Sequence, residues 1–180
     1  VSHHNLLDES TLYPEECTIE NTKEVTALLE AYGVPVYLSG HLHLQRIKKH
    51  TSNLNTPGGY GIREIVTSPL PMAPCQYSIL NWQTDGSLSY HTKKVDIAGW
   101  AQRYGEEDEN LLNFDAYADQ FLVDVISEQT FKALQSASKD IKEEMARLYA
   151  DMNRDYCSGT KIDVAKIRKS EAYQYWIRYS

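Results

Sequence analysis

One segment of the chain, residues 34–43, reads Val34-Pro35-Val36-Tyr37-Leu38-Ser39-Gly40-His41-Leu42-His43. Its first five residues are mostly β-branched or aromatic, which predicts a buried strand that ends in a turn at Ser39-Gly40. Gly40 allows the turn to take a backbone conformation that a side chain would disfavour. Histidines directly past the end of a strand lie where open α/β sheets bind their ligands.

The histidines of this turn are candidate metal ligands. His41 and His43 can each present a ring nitrogen to one point, and neutral imidazole is the commonest metal ligand in proteins. A second pair, His3-His4, opens the sequence, and no histidine follows Trp100. The alternative is two chance histidines on a surface loop, and we favour the metal-binding interpretation.

A helix is predicted between the two histidine pairs. Asn21 and Glu24 have the spacing of an N-cap residue and its return partner. Apolar residues then recur at helical spacing and predict one buried stripe, formed by Val25, Leu28, Leu29 and Tyr32. Gly33 follows the stripe in the position typical of a helix C-terminus. The predicted unit is helix, short turn, buried strand and histidine turn.

This arrangement resembles the last two motifs of the calcineurin-like metallophosphoesterase superfamily. In that family one strand ends in His-His, as at His3-His4, and Gly-His-x-His follows a helix and a strand later, as at residues 40–43. The resemblance covers residues 1–95. Three earlier family motifs, Asp-x-His, Gly-Asp-x-x-Asp and Gly-Asn-His-Asp/Glu, do not occur in the sequence. We therefore expect the chain to be the C-terminal portion of a longer enzyme.

The resemblance also implies a site. Two divalent metal ions (manganese, iron or zinc) would activate a hydroxide that attacks a phosphate ester. His3 and His41 would bind one ion and His43 the other. His4 and Asn5 would contact the substrate, and the remaining ligands and the general acid would come from the missing N-terminal half of the same protein.

The residues after His43 predict further strands, at 44–49, 62–67, 77–82 and 88–95. Asp85-Gly86 lies between the last two and is a strong hairpin signal. Loops are predicted at residues 5–17 and 51–61 from their polar, glycine and proline content. With the resemblance, residues 1–95 are expected to form the C-terminal half of a two-sheet metallophosphoesterase sandwich, which is an α/β fold.

The second half of the chain has a different character. The acidic run at residues 106–109 predicts a solvated linker over 96–110. Helical spacing then predicts a small all-α domain over 111–180. Its expected helices cover residues 115–126 (with Ala118, Phe121, Leu122 and Val125 on one face), a second helix capped by Ser127, residues 139–155, and segments that begin at Asp163 and Ser170.

Composition excludes several classes of function. The net charge of −7 disfavours a nucleic-acid surface, because phosphate binding depends on lysine and arginine. No apolar run approaches the length of a membrane span. The three cysteines have no metal or redox spacing and are expected to be buried or idle thiols. Nothing in the sequence identifies the cellular compartment.

Two functions remain in view. The first is a hydrolase of phosphate mono- or diesters, and a helical region after the metallophosphoesterase domain resembles bacterial cyclic-nucleotide phosphodiesterases. The second is a non-catalytic interaction or oligomerisation module built on the helical domain. Because the chain carries only part of the site, we expect it to be inactive alone and to bind metal weakly. Exposed strand faces also predict a homo-oligomer or an accompanying N-terminal piece.

Overall fold

The computed structural model describes residues 1–7, 17–50 and 61–179. These residues form a mixed α/β structure with seven helices and two small sheets. They divide into two compact units, Val1–Pro69 and Leu70–Ser180. The predicted loops at 5–17 and 51–61 lie mostly outside the described residues.

The first unit contains one helix and a three-stranded sheet. Helix α1 spans Thr22–Ala31, and the strands are β1 (Val36–Ser39), β2 (Arg46–Lys49) and β3 (Arg63–Val66). Strand β3 lies in the centre, parallel to β1 and antiparallel to β2. The predicted buried strand before the histidine turn is thereby confirmed as β1.

The N-terminal residues lie beside β1. The Ser2 N–H donates to the Leu38 carbonyl at 3.0 Å, and the Gly40 N–H donates to the His3 carbonyl at 3.0 Å. Farther along, Asn5 forms an isolated parallel bridge with Thr18. Hydrogen bonds therefore bring the segment that carries His3-His4 to the end of β1, where the second histidine pair begins.

A small apolar core supports this arrangement. Its buried members are Leu6, Leu7, Tyr37 and Ile62, and Ile19, Val25 and Leu29 pack against them. The predicted stripe of α1 is half wrong, because Leu28 is 57% exposed and Tyr32 is 79% exposed. The helix turns only the face of Val25 and Leu29 towards the core.

The ends of α1 give one wrong and one correct prediction. Asn21 adopts a left-handed conformation, with φ 56°, and its side chain makes no capping hydrogen bond. The predicted capping box is therefore absent. Gly33 does end the helix, with φ 67° and its N–H bonded to the Glu30 carbonyl.

The second unit begins with an antiparallel hairpin of β4 (Gln76–Trp82) and β5 (Leu88–Lys94). The predicted turn is confirmed, since Gly86 has φ 80° and the Asp85 carboxylate accepts the Ser87 N–H at 2.8 Å. Across the described residues the strands form a three-stranded and a two-stranded sheet, and these do not establish the predicted two-sheet sandwich.

Six helices follow the hairpin: α2 (Ile97–Tyr104), α3 (Glu109–Leu112), α4 (Phe114–Ala133), α5 (Lys139–Ser158), α6 (Val164–Lys169) and α7 (Glu171–Tyr179). The long helices α4 and α5 pack together and bury Leu122, Val123, Met145, Ala146 and Ala150. Helix α7 packs on α5, where the Trp176 indole N–H donates to the Met145 carbonyl at 2.9 Å. The predicted helical C-terminal region is thus confirmed.

Several predictions in this region were wrong in detail. The predicted linker at residues 96–110 contains α2 and the start of α3. Asp96 stabilises the start of α2, where its carboxylate accepts the Gly99 N–H. Ser127 lies inside α4 and starts no second helix. Phe121, expected on the buried face of α4, is 58% exposed. The predicted domain boundaries at 95 and 110 stay predictions.

Other predictions agree with the structure. Gly159 ends α5 with φ 78°, and the Asp163 carboxylate caps α6 by accepting the Lys166 N–H. The Ser170 hydroxyl accepts the Tyr173 N–H at the start of α7. All three cysteines are buried and unpaired. Among the described residues, no helix combines the length and apolar character that a membrane span requires.

Candidate functional site

Three imidazole rings gather where the N-terminal segment meets the end of β1. His3 Nε2 lies 3.1 Å from His41 Nδ1. The ring centroids of His4 and His41 are 4.3 Å apart, and those of His3 lie 5.2 Å from His4 and 5.0 Å from His41. Residues from two separate segments of the sequence therefore form one histidine cluster, which we define as His3, His4 and His41.

The backbone of the turn is unusual at both of its histidines. His41 has φ 51° and His43 has φ 55°, and both are left-handed conformations. For an L-residue other than glycine this costs about 1–2 kcal/mol. Strain of this kind persists only where the surrounding structure imposes it, and such residues concentrate at functional sites.

His43 does not join the histidine cluster. Its side chain is exposed, and none of the ring contacts found in the described residues involves it. The structure therefore brings together His3 and His41, two of the three predicted ligands, with His4, which was predicted to contact the substrate. The ligand and substrate roles themselves stay predictions.

The spacing of two nitrogens in the histidine cluster can be compared with the spacing of ligands in a metal centre. Ligand nitrogens about 2.0–2.1 Å from a tetrahedral zinc ion are roughly 3.3 Å apart. The 3.1 Å between His3 Nε2 and His41 Nδ1 is close to that spacing. Both nitrogens must be free of protons to bind a metal, whereas the hydrogen bond between them requires one N–H.

The match to a metal centre is incomplete. Within residues 1–7, 17–50 and 61–179, no group of three or more His, Cys, Asp or Glu side chains is arranged to hold a metal ion. The described residues therefore form no metal site by themselves, and metal binding by His3 and His41 stays a prediction.

A buried carboxylate joins the two segments of the cluster. Glu64 on β3 is fully buried, and its Oε1 accepts the Leu6 N–H and the Ser39 hydroxyl, each at 2.7 Å. Its Oε2 accepts the Leu7 N–H at 2.7 Å. Leu6 follows His4 by two residues, and Ser39 precedes His41 by two. The Glu64 side chain is therefore hydrogen-bonded to both histidine-bearing segments.

The sequence prediction did not single out Glu64, although a signal for it exists. Glutamate is depleted in strands, and here it stands beside Ile65 and Val66 in the central strand. A charged residue in such a position requires buried partners, and it could have been identified on that ground.

Asn5 is also buried. Its side-chain oxygen and nitrogen find no hydrogen-bond partner among the described residues. Its predicted contact with substrate stays a prediction, and the burial gives it no direct support.

Comparison with known proteins adds a match in the other unit. Residues 96–180 match the family model described as the C-terminal domain of cyclic nucleotide phosphodiesterase. No curated protein matches the chain. The family match supports a function in the class of phosphodiesterase-related hydrolases. More particularly, helices α2 to α7 are similar to the C-terminal domain of cyclic nucleotide phosphodiesterase. The match covers less than half of the chain and does not reach the histidine cluster.

Proposed function

We propose that the chain is part of a dinuclear-metal phosphoesterase that hydrolyses phosphate mono- or diesters, with cyclic nucleotides as candidate substrates. The observation that carries the proposal is the 3.1 Å separation of His3 Nε2 and His41 Nδ1, which suits two ligands of one ion. The family match of residues 96–180 supports the phosphodiesterase class independently.

Each histidine has a role in the proposal. His3 and His41 would bind one ion, and the exposed His43 would bind the second. His4, whose ring lies against that of His41, donates a hydrogen bond to the phosphate. When bound, two ions of manganese, iron or zinc would supply a hydroxide at neutral pH and polarise the phosphoryl oxygens. The missing ligands come from an N-terminal part of the same protein.

The test is turnover by the longer parent protein with manganese, using bis-p-nitrophenyl phosphate and cyclic AMP as substrates. We expect metal-dependent hydrolysis that His41→Ala abolishes. His91→Ala removes an exposed histidine of β5 and serves as the control, with activity unchanged. The 180-residue chain alone should be inactive. A parent without metal-dependent turnover would end the proposal.

A second candidate function is an interaction or oligomerisation module, favoured by exposed aromatic side chains on the second unit. Trp100 and Tyr104 form one ring pair on α2, and Tyr117 and Phe121 form another on α4. All four side chains are exposed, and α2 packs against α4. Exposed aromatic groups of this kind mark contact surfaces more often than free surfaces.

Light scattering of the 180-residue chain tests the second candidate. We expect an oligomer that Phe121→Ser converts towards the monomer. Tyr156→Ser on α5, which also removes an exposed aromatic ring, should leave the oligomer intact. A wild-type chain that is monomeric at high concentration would exclude self-association.

A further inference from the structure

We infer that Glu64 is a positioning residue that fixes the two histidine-bearing segments relative to each other. The inference deepens the proposed function and rests on it for the metal, although the positioning of the rings does not require the metal. The three hydrogen bonds described for Glu64 go to Leu6, Leu7 and Ser39, so its effect on the histidine rings is transmitted through these residues.

Sheet register explains why Glu64 reaches both segments. Tyr37 of β1 pairs with Glu64 of β3, and Ser39 pairs with Val66. Residues two apart on a strand point to the same face, so Ser39 and Glu64 are diagonal neighbours there. From the same face the carboxylate reaches the N–H groups of Leu6 and Leu7, which follow the His3-His4 segment beside β1.

The chemistry of the contacts requires a carboxylate. All three described partners of Glu64 act as hydrogen-bond donors, and an ionised carboxylate is purely an acceptor. Burying a charge is unfavourable unless it is fully hydrogen-bonded, and bonds to a charged acceptor are about twice as strong as neutral ones. An apolar residue at position 64 would leave two backbone N–H groups and one hydroxyl buried without these partners.

Backbone hydrogen bonds alone align the segments only along β1. The bonds between Ser2 and Leu38 and between Gly40 and His3 end at His3. Glu64 adds hydrogen bonds to Leu6 and Leu7, which follow His4, and a hydrogen bond to Ser39. The segment with His3 and His4 is therefore held by hydrogen bonds on both sides of its rings. Other backbone bonds hold each segment separately, since Asn5 bonds to Cys17 and Ile19 and the Ser39 carbonyl accepts the Thr67 N–H. Without Glu64 each segment would keep these bonds and lose the direct link between Ser39 and the chain after His4.

Glu64→Gln is a sharp test because the two side chains have the same shape. An amide offers one oxygen, so its NH₂ group must face a donor in either orientation. If the oxygen faces Leu6 and Ser39, the NH₂ faces the Leu7 N–H, and the flipped amide confronts the Leu6 N–H instead. One backbone bond is lost in both cases, while the packing volume is kept.

Nitrogen-15 NMR of the imidazole rings in the metal-free 180-residue chain provides the readout. In the wild type, the hydrogen bond requires that one of His3 Nε2 and His41 Nδ1 carry a proton and that the other accept it, so both rings should give signals distinct from free, averaged imidazole. In Glu64→Gln these signals should shift towards those of free, averaged imidazole. Glu20→Gln, which neutralises an exposed carboxylate of the same unit, should leave them unchanged. A folded Glu64→Gln chain with wild-type ring signals would overturn the inference.

Ser39→Ala keeps the test decisive if Glu64→Gln fails to fold. This variant leaves the bonds of Glu64 to Leu6 and Leu7 and removes only the bond to the segment of His41. The His41 signals should therefore shift more than those of His4. Unchanged His41 signals in Ser39→Ala would overturn the inference as well.

The proposed metal-dependent function is tested separately from the positioning role of Glu64, so that one can be refuted while the other stands. In the parent protein, Glu64→Gln should raise the manganese concentration needed for half-maximal turnover about tenfold, as outer-shell substitutions do. If the parent shows no metal-dependent turnover, the proposed function falls while the ring signals still decide the role of Glu64. If turnover depends on metal but Glu64→Gln leaves the manganese requirement unchanged, the positioning role falls instead.

Discussion

The two units of this chain are stabilised in different ways. The first unit, Val1–Pro69, has a small apolar core and a buried carboxylate that binds three donors. The second unit, Leu70–Ser180, places Leu122, Val123 and Met145 between two long helices, with few buried polar contacts between side chains. Hydrogen bonds to a charge are directional, whereas apolar packing depends mainly on area and volume.

The difference indicates which of the two units fixes the positions of its side chains more closely. The unit with the histidine cluster uses directional bonds to fix atoms, as a site that must align ring nitrogens requires. The helical unit relies mainly on apolar packing between α4 and α5, and its surface has exposed aromatic groups. The following predictions test this contrast, beginning with the largest expected effect.

Met145→Ala should cause the largest loss of stability. Met145 is fully buried in α5, and truncating a buried methionine costs about 2–5 kcal/mol. Hydrogen exchange should show faster opening of α4 and α5, with β1 and β3 unaffected. Met152→Ala, at a half-buried position of the same helix, should cost less. Equal destabilisation of both units would contradict the contrast.

Ser39→Ala should destabilise the first unit by about 1.5–3 kcal/mol, the range for a hydrogen bond to a charged group. The physical reason is that Glu64 loses one of its three donors. Denaturant unfolding monitored by exchange in β1 and β3 measures the loss. Ser89→Ala, at an exposed position of β5, is the control and should change stability little.

Gly33→Ala and Gly159→Ala should have similar and smaller effects, although they lie in different units. Both glycines end a helix with left-handed φ, of 67° and 78°. An added methyl group therefore costs about 1–2 kcal/mol of backbone strain at each. Thermal unfolding of each variant measures the cost. Strongly unequal values would show that the two units also differ in local backbone energetics.

Tyr175 gives the smallest effect, which is confined to alkaline pH. A hydrogen bond from its phenol to the Glu171 carboxylate raises the pKa of Tyr175 to about 12. Because the folded-state pKa is raised, the bond contributes fully below the ordinary pKa of about 10 and is lost as the pH rises through 12. An ultraviolet difference titration of wild type against Tyr175→Phe measures this pKa. In Glu171→Gln the pKa of Tyr175 should fall towards its ordinary value.

Local patterns in the sequence predicted much of the fold. The strand before Gly40, the hairpin at Asp85-Gly86 and the end of α5 at Gly159 follow from short-range chemistry, and the structure has all three. Patterns that depend on tertiary packing were less reliable. Leu28 and Phe121 have helical spacing with other apolar residues, yet none of the described elements covers them, and they are exposed.

The candidate site was predicted only in part, because its local motifs can be recognised in the sequence and its tertiary contacts cannot. His3 and His41 were identified from motif and strand position, and their contact depends on the hydrogen bonds that hold the N-terminal segment beside the end of β1. The contact of His4 with His41, the exposure of His43 and the role of Glu64 depend on side-chain directions that spacing does not determine. Glu64 lies 25 residues beyond Ser39 in the sequence and gives no local sign of that contact.

The left-handed backbone of the turn has an evolutionary consequence. Glycine or asparagine at positions 41 and 43 would relieve the strain and make the protein more stable. Selection for stability alone would therefore remove both imidazoles. Folding stability therefore does not explain the two imidazoles, and a functional role for the rings, as proposed above, would explain them.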